Sequence, residues 1–209
     1  DQSGTPVTDS ISVVMGTPYP ADGHIIFITQ NQFNGNLGGL AGADVRCDAA
    51  AQAGGLKVLR PGRTWRAVLS DGSTHANARV QITDRVRLVG ECGRVLANNS
   101  NAFWRGTSTD WSSGINFDEH ANDHTTLSPD PPNSFGLSCN GGNSNVHVWT
   151  NILANSGGNR MGPFHCNNWT TASTVQFGYT GGPGDYAQPD AWYDGVDGMH
   201  RCDVPLRLF

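Results

Sequence analysis

A single lysine, Lys57, is all the lysine in 209 residues, and charged side chains make up only 15% of the chain. The net charge of −5 argues against a nucleic-acid partner, which would call for a basic stripe. No Lys/Arg run exists to hold an anionic membrane surface. No stretch of eighteen apolar residues occurs, so no segment is long enough to cross a bilayer as a helix. The cysteines form no CxxC pair, which argues against a structural zinc site. GxSxG, GxGxxG and P-loop spacings are missing too, and no Ser/His/Asp order can be defended. The opening DQSGTPVTDS has no initiator Met, charged n-region or apolar h-region, as expected of a trimmed or excised fragment.

Polar bulk comes from Asn, Ser, Thr and Gln, with 27 glycines. That composition suits a loop-rich β architecture in an export environment. Five widely spaced cysteines, Cys47, Cys92, Cys139, Cys166 and Cys202, favour disulfides and an oxidising compartment. Residues 1–23 read as a linker or arm to a preceding module. HIIFIT (24–29) predicts a buried strand. A helix pattern follows from about Gly42 to Ala53, with Ala43, Val45, Ala49, Ala50 and Ala53 as its small-residue face and Gly54 and Gly55 as its stop. Further strands are expected at 64–71, 80–89, 146–153, 175–179 and 204–209. Residues 90–145 lack periodicity and read as a variable loop region. With no internal repeat and no second hydrophobic core, 24–209 is read as one α+β domain.

The glycine-rich run FNGNLGGLAGADVRC (33–47) raises the question of a phosphate loop, since it follows a strand and enters a helix. Its spacing fits none of the known loops, and no βαβα alternation supports a parallel sheet. A close-packed connection, where glycine permits positive φ and near approach of backbones, is preferred. The stretch IFITQNQFNGNLGGLAGADVRCDAAAQAGGL resembles the opening of a bacterial extracellular domain family related to endostatin and the C-type-lectin fold. TWRAVLSD, CNNWTTAS and CDVPLRLF agree with the same family, so the likeness runs from residue 25 to 209 and is weakest over 90–145. The resemblance implies a C-type-lectin-like, endostatin-like fold: a mixed, mostly antiparallel sheet, one or two helices, and long disulfide-stapled loops. It also implies a Cys166–Cys202 bond, with Cys92 and Cys139 paired to staple the loop region. Cys47 is then left without its partner, which the family places just after the position of Phe209. A buried free thiol acting as a small hydrophobe is the alternative for that residue.

Three clusters are candidates for chemistry. DEHANDH (118–124) sets His120 and His124 beside two carboxylates at a spacing that suits zinc on a helix. The resembling family carries Asn-x-Asp-Glu at the matching place, so Asp118 and Glu119 are expected to fix the loop by accepting backbone N–H groups. QPDAWYDGVD (188–197) offers Asp190, Asp194 and Asp197 as calcium ligands, with Trp192 and Tyr193 beside them to stack on a sugar. Asp–Gly steps there equally suit tight turns. In FWRGTSTDW (103–111), Trp104, Arg105 and Trp111 are expected to form an exposed binding surface, with a satellite core as the bland counterpart. Trp65, Trp149 and Trp169 lie in strand-like runs and are assigned to the core.

The resemblance implies a non-enzymatic recognition or adhesion domain outside the cell or on its surface, with a glycan or surface protein as ligand. Calcium is the one cofactor considered. The first rival is an architectural terminal domain of a fibre, tethered or oligomerised through 1–23. The second is a metal-dependent hydrolase at His120 and His124.

Overall fold

The computed structural model describes residues 22–89, 95–105, 115, 117–122, 124, 147–152, 161–181 and 199–209, with only the backbone of Arg105. The β-branched run at the start of this region becomes β1 (His24–Ile26). It pairs in parallel with β2 (Val86–Leu88), from His24 opposite Val86 to Ile26 opposite Leu88. β2 pairs antiparallel with β3 (Val95–Ala97). A second sheet is antiparallel throughout and runs in the order β4 (Val148–Trp149), β5 (Phe177–Gly181), β6 (Met199–Arg201). One long helix, α1 (Gly39–Ala53), is joined by short helical pieces α2 (Leu56–Leu59), α3 (Ala76–Arg79), α4 (Ser100–Arg105) and the single turn α5 (Cys166–Trp169). The class is α+β, built on two small sheets.

Glycine sets the entry of α1. Gly38 and Gly39 have φ of 81° and 75°, a region that costs a residue with a Cβ about 1–2 kcal/mol. A Cβ at Gly42 would lie 2.0 Å from the Leu37 carbonyl oxygen, so the first turn closes on Leu37 only because that side chain is absent. The glycine run is therefore a packing device, as its spacing implies. The buried face of α1 is Ala43, Cys47 and Ala51, whereas Val45 is 68% exposed. This corrects the expected small-residue face: residues four apart share one side of a helix, and the five expected positions do not all follow that spacing. Asp44 ties the helix down by accepting from the Ala67 amide (3.0 Å) and pairing with Arg79 (2.7 Å). At the far end, a Cβ on Gly54 would meet the Glu119 carbonyl oxygen at 2.1 Å, so the helix stops against the 117–122 turn.

The closing segment 204–209 holds the pieces together as an extended chain rather than a laddered strand. Leu206 exchanges both backbone hydrogen bonds with Phe33. Thr29 donates its amide to Leu208, and Trp149 donates to Arg207. Residues 64–71, expected as a strand, are extended but bond singly, from Val68 to Phe209 and from Ser70 to Thr150. Buried residues fall into two clusters that share elements. Ala51 and Val148 belong to the first, and Ala43, Cys47 and Trp149 to the second. Trp149 and Trp169, both fully buried, lie with ring centroids 5.6 Å apart.

Candidate functional site

CNNW (166–169) makes a left-handed turn. Cys166, Asn167, Asn168 and Trp169 all have φ between 49° and 62°. Non-glycine residues pay about 1–2 kcal/mol each for that conformation, although asparagine tolerates it better than most. What holds it is visible on every side. The Trp169 amide donates to the His165 carbonyl (2.8 Å), and the Asn168 amide donates to His165 Nδ1 (2.8 Å). Trp169 Nε1 reaches the Ser70 carbonyl (2.7 Å), and the Gly72 amide donates to Asn168 Oδ1 (3.0 Å). Full burial of the Trp169 ring contributes about 4–6 kcal/mol, which offsets most of the strain.

The turn is stapled to the end of β6. A disulfide joins Cys166 to Cys202, with Cα atoms 5.6 Å apart. Two glycines make room for it: a Cβ at Gly35 would lie 2.5 Å from Cys166 Sγ, and one at Gly178 would lie 2.9 Å from it. Cys202 is also pinned through its backbone, donating to Gln176 and accepting from Gly35. β5 and β6 pair from Phe177 opposite Arg201 to Tyr179 opposite Met199. The two strands bracket residues 182–198.

Alternation along this hairpin separates an inner from an outer face. Gly178 turns inward against Trp149, Trp169 and the disulfide. Phe177, Tyr179, Met199 and Arg201 share the opposite face. Phe164 stacks at a tilt on Tyr179 (5.4 Å), and Gly162 leaves the space that the Tyr179 ring fills. Phe164, Phe177 and Met199 are 36–45% exposed. An apolar, partly aromatic ledge therefore lies at the root of the 182–198 segment. Sequence reasoning missed it, although the alternating QFGYT run was a signal for it.

Within DEHANDH, residues 118–122 fold as a turn rather than a helix. Asp118 is fully buried and bridges to Ile28. Its Oδ1 accepts the amides of His120 (2.9 Å) and Asn122 (3.0 Å). Its Oδ2 takes Asn122 Nδ2 (3.1 Å) and His124 Nε2 (2.9 Å). Burial alone would raise this carboxyl; the bonds from His124, Asn122 and the two amides outweigh it and hold it below the usual range. Glu119 Oε2 accepts the Gln30 amide (2.7 Å). Arg207 donates to the carbonyls of Thr29 and Gln30 and faces His124 Nδ1 at 3.3 Å. Both imidazole nitrogens of His124 are thus engaged, Nε2 by Asp118 and Nδ1 by Arg207. Among the described residues, no group of three His, Cys, Asp or Glu side chains is placed to hold a metal ion. The cluster ties the 117–122 turn to residues 28–30 and to the chain end. Arg207, which the sequence reading passed over, is its third partner.

Of the predicted binding residues, Trp104 is only 5% exposed and packs edge-on against Phe103 (4.9 Å) within the first core cluster. This corrects the expectation of an exposed ring: the 100–105 helix turns the tryptophan inward, leaving no face for a ligand. The Arg105 side chain, Trp111, Asp190, Trp192, Tyr193, Asp194, Asp197, Cys92 and Cys139 lie outside the described residues. Cys47 is a buried free thiol, 3.5 Å from the Phe209 carbonyl oxygen. No protein-family model matches the chain, and no curated protein matches it either.

Proposed function

We propose that the protein is a non-enzymatic recognition or adhesion domain of the extracellular or cell-surface space. It binds a glycan or a surface protein through residues 182–198. The observation that carries this reading is the stapled hairpin. Its outer face presents Phe164, Phe177 and Met199 to solvent, while a disulfide and a left-handed turn fix its inner face. Binding residues are commonly carried on a long segment whose two ends a rigid scaffold fixes. The segment carries Trp192 and Tyr193 to stack on a ligand, and Asp190, Asp194 and Asp197, which suit calcium. The resemblance to endostatin-like, C-type-lectin-like bacterial domains points the same way, although fold by itself does not specify function.

A second reading, an architectural terminal domain tethered through residues 1–23, is favoured by one observation. Trp104 is spent on the core rather than offered to a ligand. The engagement of Asp118, Glu119 and His124 in turn-fixing bonds supports either reading over a hydrolase centred on that turn.

The test is a broad glycan-array screen of the purified protein with calcium and again with excess chelator. Binding lost on chelation and in Asp190→Ala supports a calcium-dependent lectin. Binding that survives both points to recognition by aromatic side chains, Trp192 and Tyr193 or the ledge, without a metal. Absence of binding in both conditions removes the glycan arm and leaves surface protein or architecture.

A further inference from the structure

A cleft of about 410 Å³ opens beside β1, lined by residues of the 62–68 segment, by residues 79–82 and by Phe103 of α4. That volume lies in the usual range for small-molecule sites, about 300–1,000 Å³. Its apolar lining includes Phe27, Val68, Val86 and Phe103, all buried core residues. Trp65 also lines it, its ring tilted against Phe27 at 5.7 Å. The Trp65 indole N–H is buried and, among the described residues, has no acceptor, an uncommon state for a donor inside a protein.

Charge is distributed unevenly around this cleft. Arg63, Arg66 and Arg79 line it, and among the described residues no carboxylate does. Arg79 is neutralised by Asp44 at 2.7 Å and donates to the carbonyls of Ala67 and Leu69. Arg66 is exposed and gives one bond to the Arg79 carbonyl (2.7 Å). Arg63 is exposed and, among the described residues, enters no ion pair. His24 also lines the cleft. Burial and the nearby Arg63 hold its imidazole below the ordinary value, and its Nε2 accepts the Thr83 amide. Two guanidinium groups thus stand at the edge of an aromatic cavity whose lining, among the described residues, holds no carboxylate, with Asp84 acting on the neighbouring His24. Guanidinium forks match carboxylates, and a flat apolar body suits the rings of Phe27, Trp65 and Phe103.

We propose that this cleft is a binding site for a small apolar carboxylate, its aromatic or branched body lodged among Phe27, Trp65 and Phe103 and its carboxylate held by Arg63 and Arg66. The site is independent of the 182–198 segment and of the function proposed for it.

The probe is 2-naphthoate, with 2-naphthalenemethanol as its neutral counterpart, titrated calorimetrically into the whole chain. The Trp indole N–H resonances are followed in parallel, with Trp65 assigned through Trp65→Phe. Saturable binding of naphthoate is expected, with the alcohol about tenfold or more weaker, the ratio that loss of one charge-assisted bidentate contact produces. Arg63→Ala/Arg66→Ala should abolish that preference. Thr64→Trp, at an exposed rim position, should block both ligands without altering the unfolding midpoint. Failure of naphthoate to saturate, or equal binding in the arginine and Thr64→Trp variants, would overturn the proposal.

Discussion

Removing the disulfide while sparing the fold around it is the sharpest perturbation of the stapled hairpin. In Cys166→Ala/Cys202→Ala the closed loop spans a sequence separation of 36. The chain-entropy relation for such a loop gives about 4 kcal/mol of lost stability at 25 °C. A domain of ordinary stability, about 5–15 kcal/mol, would survive that loss but unfold at markedly lower urea. A second substitution separates entropy from packing. Gly35 has no special φ, so Gly35→Ala would ordinarily stabilise by about 0.4–1 kcal/mol. Here the new Cβ would lie 2.5 Å from Cys166 Sγ, an overlap that should cost about 1–3 kcal/mol instead. In the cysteine-free background the sulfur is gone and the two segments are no longer tied. The alanine Cβ atoms at 166 and 202 still stand 2.8 and 3.0 Å from the new Cβ, so relief comes from the lost sulfur and from the segments moving apart. The Gly35→Ala penalty should then shrink by at least about 1 kcal/mol, a coupling of the size expected for residues in contact. Urea unfolding of the four proteins of this cycle, followed by far-ultraviolet circular dichroism, measures all of these terms. If the double alanine variant unfolds within about 1 kcal/mol of the parent, or the Gly35→Ala cost is unchanged without the sulfurs, the account of the staple is wrong.

Asp118→Asn should destabilise by about 1.5–3 kcal/mol, because four donors converge on a buried charge. The Asp118 carboxyl sits below its ordinary value when folded, so its contribution is complete above about pH 4 and fades as pH falls through the depressed value. Unfolding midpoints measured between pH 2 and 7 should therefore show a shallower acid limb in Asp118→Asn than in the parent. Gly54→Ala, which on an open helix end would be neutral or helpful, should cost about 1–3 kcal/mol, since the Glu119 backbone stands 2.1 Å from the added Cβ. Urea unfolding of that variant checks the seating of α1 on the 117–122 turn. Burial, helped by the nearby Asp44, pushes the Cys47 thiol well above its ordinary range. Cys47 also lines the cleft of about 410 Å³, but it is 2% exposed and its thiol is held protonated. Iodoacetamide at pH 8 should therefore label it far more slowly than an ordinary thiol, and labelling at the ordinary rate would contradict this.

Elements with a strong local signature were legible in the sequence. HIIFIT is β-branched and bounded by turn residues, and β1 forms there. The glycine run signalled close packing, and Leu37, Gly42 and the disulfide against Gly35 show what it packs on. Trp65, Trp149 and Trp169 are core residues as expected, although only Trp149 lies in a strand. Asp118 and Glu119 accept backbone amides, as expected of loop-fixing carboxylates. Other features had no one-dimensional signal. Residues 64–71 and 204–209 look like strands because they are apolar and extended, yet each finds partners on several different segments and forms no ladder. Trp104 was misjudged because a six-residue helix is too short to reveal an apolar period, so its inward face could not be read. The outer ledge of Phe164, Phe177 and Met199 depends on which strand pairs with β5, and β6 lies across the 182–198 segment from it. The Cys166–Cys202 bond was implied by family likeness alone, since five cysteines permit many pairings.

The central claim is that the stapled hairpin exists to present residues 182–198 to a ligand. The most direct test is to compare the parent with Trp192→Ala/Tyr193→Ala for binding to the strongest array glycan, or to intact cell surfaces if no glycan binds. Unfolding midpoints for both proteins confirm that the scaffold is unchanged. The account predicts that the double variant keeps its stability and loses binding by at least about tenfold, as removal of stacking aromatics at a recognition centre does. Binding that is undiminished in a stably folded Trp192→Ala/Tyr193→Ala protein would contradict it.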